Sequence, residues 1–380
     1  MQSSMKPTLL FVAHPDHRSR ILDSQELRNR FEFLHHDVTT KDEFFKFLRQ
    51  HTDKNITAIY GGYPAFHPIG GLTRDVIEHE SFPRKSLRCI ALCSRGYNGF
   101  DLEALRENEI KLFNFQDQVC ETPQEKDQGG NDVGDCVLWH VLEGFRKFSY
   151  QQLIARKDGD TFAARNHAAD RDDGAWEFGH RLSNDGSFLV QSPRNRKCLI
   201  LGFGSVGKQI ALKLHHGLGM EVHYCRRSEP QKENEHGWTF HRLDDSLKSQ
   251  LHQFSVIIVA LPGTQETQHL IDKEFLSHCD GPNLILVNVG RGSILNLDDV
   301  KDALQKGQLR HLGADVFYRE PKIDQALLSE HKMTSITPHL GSSTETVFYQ
   351  SCELALRNIL EATDPLSHVL SPVCKASRIV

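Results

Sequence analysis

The chain holds nine cysteines and not one Cys-x-x-Cys pair. Zinc knuckles and disulfide frameworks both rest on regularly spaced, even-numbered cysteines, so the pattern argues against either. An odd number of scattered thiols fits a reducing cytoplasm, where the Asn55-Ile56-Thr57 sequon has no consequence. A long apolar run is also missing, and nothing here predicts a membrane span. The mostly apolar stretch Thr8–Ala13 is too short for the core of a secretory leader, so the expected setting is cytoplasmic. Basic excess is absent as well. With 45 Lys+Arg against 50 Asp+Glu, the net charge of −5 leaves no electrostatic footprint for nucleic acid. What is present is a soluble, globular composition of 25% charged and 38% hydrophobic residues. At 380 residues the chain can build two domains with separate cores. Its 22 histidines give any single one a low starting weight as a catalyst.

The most informative stretch is Leu199–Lys208, L-I-L-G-F-G-S-V-G-K. Gly202, Gly204 and Gly207 form G-x-G-x-x-G after an apolar run and before a helical pattern. The first glycine permits a tight turn, the second lets backbone approach a pyrophosphate, and the third lets helix meet strand. The helix N-terminus, at Ser205 and Val206, then offers free N–H groups to phosphate. Val206, Ile210, Leu214 and Leu218 make one helical stripe, and Met220–Tyr224 alternates as a strand does. A plain strand-turn-helix is the competing reading, and this context favours a dinucleotide site.

Around this motif the chain reads as alternating strands and helices. Thr8–Ala13, Ile56–Tyr60 and Leu87–Cys93 predict a small parallel α/β unit. Val133–Tyr150 predicts a long helix. The polar stretch 156–197, anchored only by Trp176, Phe178 and Leu182, reads as an extended surface connection. Beyond it, strands are predicted at Cys198–Leu201, Glu221–Tyr224, Ser255–Ala260, Leu284–Val289, His311–Val316 and Ser335–Thr337. Glu345–Leu360 predicts a last amphipathic helix returning to the first domain. The fold class is therefore α/β: two Rossmann-like or flavodoxin-like lobes with parallel sheets. The expected division is a discontinuous substrate domain, 1–130 with 350–380, and an inserted nucleotide domain, 131–349.

Ligands of such sheets gather at the carboxyl ends of the strands, and several reactive side chains fall there. Arg291 stands between two glycines in N-V-G-R-G, where a guanidinium can grip a carboxylate through two parallel bonds or simply be solvated. Asp315 and Glu320 follow the next strand in G-A-D-V-F-Y-R-E-P, with a turn cap and a solvated charge as their ordinary alternatives. His339 follows the strand after that in T-P-H-L-G. A carboxylate beside an imidazole favours the imidazolium, which suits an acid that must donate a proton near neutral pH.

Taken in order, G-F-G-S-V-G, V-N-V-G-R-G-S-I-L-N, G-A-D-V-F-Y-R-E-P and T-P-H-L-G-S-S-T resemble the D-isomer-specific 2-hydroxyacid dehydrogenases. Within them the chain is most similar to the glyoxylate and hydroxypyruvate reductase branch, from about Leu87 to Leu360. The resemblance implies a homodimer that passes hydride between a nicotinamide and C2 of a small 2-oxo acid. It implies His339 as general acid/base, Glu320 as its partner, Arg291 on the substrate carboxylate and Asp315 tuning the pair. It also implies cofactor contacts from Leu261, Pro262, Val289 and Asp315, beside the glycine motif.

Two features qualify the resemblance. An NAD enzyme of this fold carries an acidic residue about 20 positions past the first glycine. This chain has Arg226, Arg227 and Ser228 there, which suit the 2′-phosphate of NADP, so NADP(H) is expected over NAD(H). A basic surface loop near Glu229 is the alternative. The family's substrate loop, G-x-G-[YF]-D-x-x-D, is S-R-G-Y-N-G-F-D here, with Ser94 and Asn98 as departures. Amides at Arg95 and Gly96 can still meet a carboxylate. The altered loop also motivates a second function, a nucleotide-sensing interaction protein without meaningful turnover.

Overall fold

The computed structural model describes residues 6–116, 126–170, 181–183, 188–227, 229, 236–329, 332–364 and 371–380. It divides into two compact units, Met1–Gln128 with Thr344–Val380 and Gly129–Ser343.

In the first unit, β1 (Thr8–Val12), β3 (Ile56–Gly61) and β4 (Cys89–Leu92) are short, nearly unbroken apolar runs. Such strands are stable only when both faces of a parallel sheet are covered. They lie in the order β2-β1-β3-β4-β5, with β2 (Glu32–His36) and β5 (Lys111–Phe113) at the edges. The helix Lys41–Gln50 covers one face, burying Phe44, Phe45 and Leu48 with Ile59 and Ile90. The helix Glu345–Ala362 covers the other, burying Cys352, Ala355, Leu356 and Ile359 with Leu9, Phe11 and Tyr60. Strand β2, E-F-L-H-H, is half-exposed, and its polar composition hides it from a hydrophobic pattern.

The second unit is a seven-stranded sheet, all of its pairs parallel. Its strands are β6 (Lys197–Leu201), β7 (Glu221–Arg226), β8 (Thr239–Arg242), β9 (Val256–Val259), β10 (Ile285–Asn288), β11 (His311–Ala314) and β12 (Thr334–Ile336). The order β12-β11-β10-β9-β6-β7-β8 reverses direction between β6 and β9, the kind of switch point where doubly wound sheets bind ligands. Six of these strands stand where the sequence predicts them, within two residues at each end; β8, T-F-H-R, carries too little apolar pattern to be read.

The long helix runs Gln128–Arg146, starting five residues before its expected start. Glycines lie inside it, where Gly130 faces Ser205 and Gln209 and Gly134 faces Lys213 across a close helix contact. The stretch 156–197, expected as an extended connection, needs correction. Helix Phe148–Asp158 enters it, and Thr161–Ala168 follows, with the Asp160 side chain accepting from the amides of Phe162 and Ala163. Ala164, Ala168, Ile154 and Leu182 form a small core there. Its buried face is mostly alanine, so large apolar residues mark it poorly. Trp176 and Phe178 lie outside the described residues. No helix among the described residues is long and apolar enough to cross a membrane.

Gly144 lets the long helix touch the sheet: a Cβ there would fall 2.7 Å from Ile285 side-chain atoms. Overpacking of this kind costs about 1–3 kcal/mol. Gly144→Ala is therefore expected to lower the melting temperature by roughly 3–10 °C, checked by calorimetry.

Candidate active site

The three motif glycines have different jobs. Gly202 turns the chain off β6 with φ +101°, and its Cβ position lies 2.6 Å from the Ala260 carbonyl oxygen. A Cβ on Gly207 would fall 2.1 Å from the Gly202 oxygen. Gly204, the cap of helix Ser205–Leu218, would point a Cβ into open space, with no atom within 4 Å. Packing thus requires two of these glycines, and the third keeps clear the approach to a helix N-terminus. That cradle has the room and the donor N–H groups that a pyrophosphate needs, so the residues present fit a dinucleotide.

Leu261 and Pro262 continue from β9 across the switch point. The Val289 amide donates to the Val259 carbonyl at 3.0 Å, and Gly290 lies so close that a Cβ would fall 2.5 Å from the Leu261 oxygen. Val289, Leu261 and the Gly202 turn are thereby brought together. Arg226 ends β7 and Arg227 follows it. The Thr264 hydroxyl, and more weakly the Arg227 charge, holds the Glu266 carboxyl below its ordinary range. Ser228 lies outside the described residues.

Beyond the ends of β11 and β12 the chain brings His339, Glu320 and Asp315 close together. His339 sits in a left-handed turn, φ +51°, and its Nδ1 lies 2.9 Å from Oε2 of Glu320. The other oxygen of Glu320 accepts from the Phe317 amide at 2.9 Å, which fixes the carboxylate's orientation. Asp315, 3% exposed, makes its hydrogen bonds to groups other than the imidazole. Its Oδ1 accepts from the Leu340 amide at 2.9 Å and the Thr337 hydroxyl at 2.6 Å. Its Oδ2 accepts from the Gly341 amide at 3.0 Å. Burial pushes its carboxyl above the ordinary range, against the pull of these three bonds. Asp315 is therefore a clamp on the turn that carries His339. Its amide donates to the Asn288 carbonyl at 3.1 Å, while Val289 is the next residue of the neighbouring strand.

Arg291 follows β10 on a loop closed by Asn288, whose side chain accepts from the Gly290 amide and donates to the Arg291 carbonyl. Its Nη1 donates to the Gly290 carbonyl at 2.7 Å. Burial lowers the guanidinium's pKa, and the nearby Glu320 charge opposes that shift. A Cβ on Gly292 would fall 2.0 Å from the Phe317 carbonyl carbon. The flanking glycines therefore serve close approach: one lets the Arg291 loop lie against the segment that leads to Glu320. Asn288, Thr337 and His140, which adjoins Thr337, had no sequence signal beyond being polar residues in apolar surroundings.

The loop expected to meet substrate, Ser94–Asp101, belongs to the first unit. Ser94 keeps an ordinary negative φ, and its hydroxyl donates to the Gly96 carbonyl at 2.8 Å. Asn114 holds the Arg95 carbonyl at 2.7 Å, and the Arg95 guanidinium lies 6.0 Å from the Phe115 ring centre. Serine is thus accommodated without strain where the family has glycine.

Comparison with known proteins agrees with this geometry. The D-isomer specific 2-hydroxyacid dehydrogenase NAD-binding domain matches residues 163–341. A Saccharomyces cerevisiae protein named "putative 2-hydroxyacid dehydrogenase" is 54% identical over 93% of this chain and 93% of its own length. Glyoxylate/hydroxypyruvate reductase B of Pectobacterium carotovorum is 30% identical over 77% of this chain and 80% of its own. The holo crystal structure of Rhodotorula graminis D-mandelate dehydrogenase superposes with a TM-score of 0.76 at 26% identity, covering 93% of this chain and 94% of that one. The chain belongs to the D-isomer-specific 2-hydroxyacid dehydrogenase family. It is thereby an oxidoreductase with a nicotinamide-binding domain, and the family's substrates are small 2-oxo and 2-hydroxy acids.

The glycine geometry separates binding from folding. Gly204→Val is expected to leave the melting curve of the free protein unchanged and to weaken dinucleotide binding at least about tenfold by titration calorimetry. Gly207→Ala, by contrast, is expected to destabilise the fold itself.

Proposed function

We propose that the protein reduces a small 2-oxo acid of the glyoxylate or hydroxypyruvate type to the D-2-hydroxy acid, with NADPH preferred over NADH. The observation that carries the reading is the His339–Glu320 pair, 2.9 Å apart with Glu320 itself pinned by the Phe317 amide, on the loops beyond β12 and β11, the latter strand paired with the β10 that leads to Arg291. Its similarity to glyoxylate/hydroxypyruvate reductase B supports the substrate class.

Each side chain has a step it can perform. Arg291 takes the substrate carboxylate through its fork and draws electron density toward the neighbouring carbonyl oxygen. His339 spends Nδ1 on Glu320, so Nε2 is the atom left to face that oxygen. Glu320 stabilises the imidazolium and fixes the ring. A bound nicotinamide supplies the hydride to C2. As the carbonyl π pair moves onto oxygen, that oxygen takes the Nε2 proton, and His339 is left neutral and still bonded to Glu320. Asp315 holds the backbone around His339 throughout. In the first unit, this reading assigns substrate contact to the amides of Arg95 and Gly96. It also assigns dinucleotide contact to Gly202, Gly204, Ser205, Val206, Gly207, Leu261, Pro262, Val289 and, through backbone, Asp315. Arg226 and Arg227, with Ser228, supply cationic and hydroxyl partners for a 2′-phosphate. A homodimer in the cytoplasm completes the proposal.

His339→Ala is expected to lower kcat by about 10²–10⁴-fold while NADPH binding is kept, measured by cofactor absorbance and by titration. An active mutant would remove the mechanism. The Arg226→Ala, Arg227→Ala double mutant is expected to lose at least about tenfold of the preference for NADPH over NADH in kcat/KM. A wild-type protein that binds NADPH yet turns over no 2-oxo acid with either cofactor would instead favour the sensing role.

A further inference from the structure

Behind the turn of His339 runs a line of buried polar side chains that the reaction above does not use. Lys147, 1% exposed, places Nζ 2.6 Å from Nδ1 of His311. Nε2 of His311 lies 2.8 Å from the Ser335 hydroxyl, and that hydroxyl lies 2.7 Å from Nδ1 of His140. Nε2 of His140 lies 3.1 Å from the Thr337 hydroxyl, which donates to Asp315 at 2.6 Å. Backbone geometry builds this line. His140 lies on the helix Gln128–Arg146 and Lys147 is the residue just past its end, seven positions on, while Ser335 pairs with Gly313 across β11 and β12. Gly313 leaves the space for the imidazole, since a Cβ there would fall 2.8 Å from the Cβ of His140.

The donor and acceptor rules leave one arrangement of protons. An ionised carboxylate only accepts, so Thr337 must donate to Asp315 and accept from Nε2–H of His140. His140, neutral, must then accept at Nδ1 from Ser335, and Ser335 must accept from Nε2–H of His311. Nδ1 of His311 is left as an acceptor, and the lysine is a donor. The two ends therefore demand the same direction. Burial keeps both imidazoles neutral, with the His140 pKa lowered to about 3 and that of His311 lowered well below its usual value. Arg310 and Glu143 are the charged groups beside Lys147, with opposite effects on it, and Lys147 and Arg310 both lie over the Phe188 ring. At the far end Cys136 adjoins Thr337, 3.6 Å away.

We infer that Lys147, His311, Ser335, His140 and Thr337 form one polarised hydrogen-bond chain that keeps Asp315 an ionised, all-acceptor clamp. Through Asp315 the chain makes Lys147 and His140 positioning residues for His339. This rests on the proposed role of His339 as the proton donor. Hydrogen bonds in series polarise one another, so each link strengthens the last one to the carboxylate. If Asp315 took a proton, one of its oxygens would become a donor, and the Thr337, Leu340 and Gly341 donors would compete for what remains.

The test uses the whole protein, Lys147→Met at one end and Ser335→Ala in the middle. Ser335→Ala removes one oxygen and stands alone if Lys147→Met fails to fold. In each, the Leu340 and Gly341 amides are expected to exchange about tenfold faster than in wild type, with β9 amides unchanged. The double mutant is expected to be no worse than either single, because a broken chain cannot be broken twice. Ring nitrogen shifts are expected to show both His140 and His311 neutral and protonated on Nε2. A falling kcat with unchanged KM marks positioning of the proton donor rather than general loosening. Unchanged exchange in Ser335→Ala, additive effects, or an Nδ1–H tautomer on either ring would overturn the proposal. Exchange and tautomers are read without substrate, so a wild-type protein inactive on 2-oxo acids would sink the functional reading and leave this test standing.

Discussion

The candidate chemistry depends on one buried carboxylate holding one left-handed turn. A residue with a Cβ pays about 1–2 kcal/mol to sit in the left-handed region, and His339 does so at φ +51°. Asp315 accepts from the backbone amides of Leu340 and Gly341, the two residues after His339, and from the hydroxyl of Thr337, two residues before it. Hydrogen bonds to a charged acceptor contribute roughly 1.5–3 kcal/mol each, so the clamp outweighs the strain it imposes. Gly341 is required on the same account, because a Cβ there would fall 2.9 Å from Oδ2 of Asp315. The imidazole is thereby aimed by backbone, and its own side-chain bond to Glu320 has only to fix the rotation of the ring.

The other two members of the site follow from close packing of loops. Glu320 is oriented by an amide three residues back, and that segment lies against Gly292. Arg291 precedes that glycine. A substituent at Gly292 would therefore move Arg291 and the histidine's partner together. Loops packed to this density behave as one body, which is what a proton donor and a carboxylate anchor need to keep a fixed spacing.

What the sequence makes legible is whatever is encoded locally. Parallel strands buried on both faces are unbroken apolar runs, and a phosphate cradle is a glycine spacing, so both units and the motif stand out. Strands β2 and β8 sit at edges and carry His, Arg and Glu, so their pairing partner and not their composition makes them strands. The helix Thr161–Ala168 buries alanines, which no hydrophobic pattern flags. Arg291, Glu320 and His339 stood out as candidates because each lies beside a glycine or proline after a strand. Asn288, Thr337 and His140 did not, since their importance lies wholly in neighbours distant in the chain.

The histidines show how far residue type alone can mislead. Three stand on or beside adjoining strands of this sheet edge and are offered two kinds of environment. His140 and His311 are buried and meet hydroxyls and an amine, partners that an uncharged ring satisfies with one donor and one acceptor. His339 is 38% exposed in its side chain and meets a carboxylate instead. Burial with neutral partners suits an imidazole to a structural link, whereas a carboxylate beside a partly exposed ring is what the proposed proton donor needs. On the proposed reading, the discount that 22 histidines impose on each is lifted for one of them by its partner and its exposure, and the same two quantities set the others apart from it.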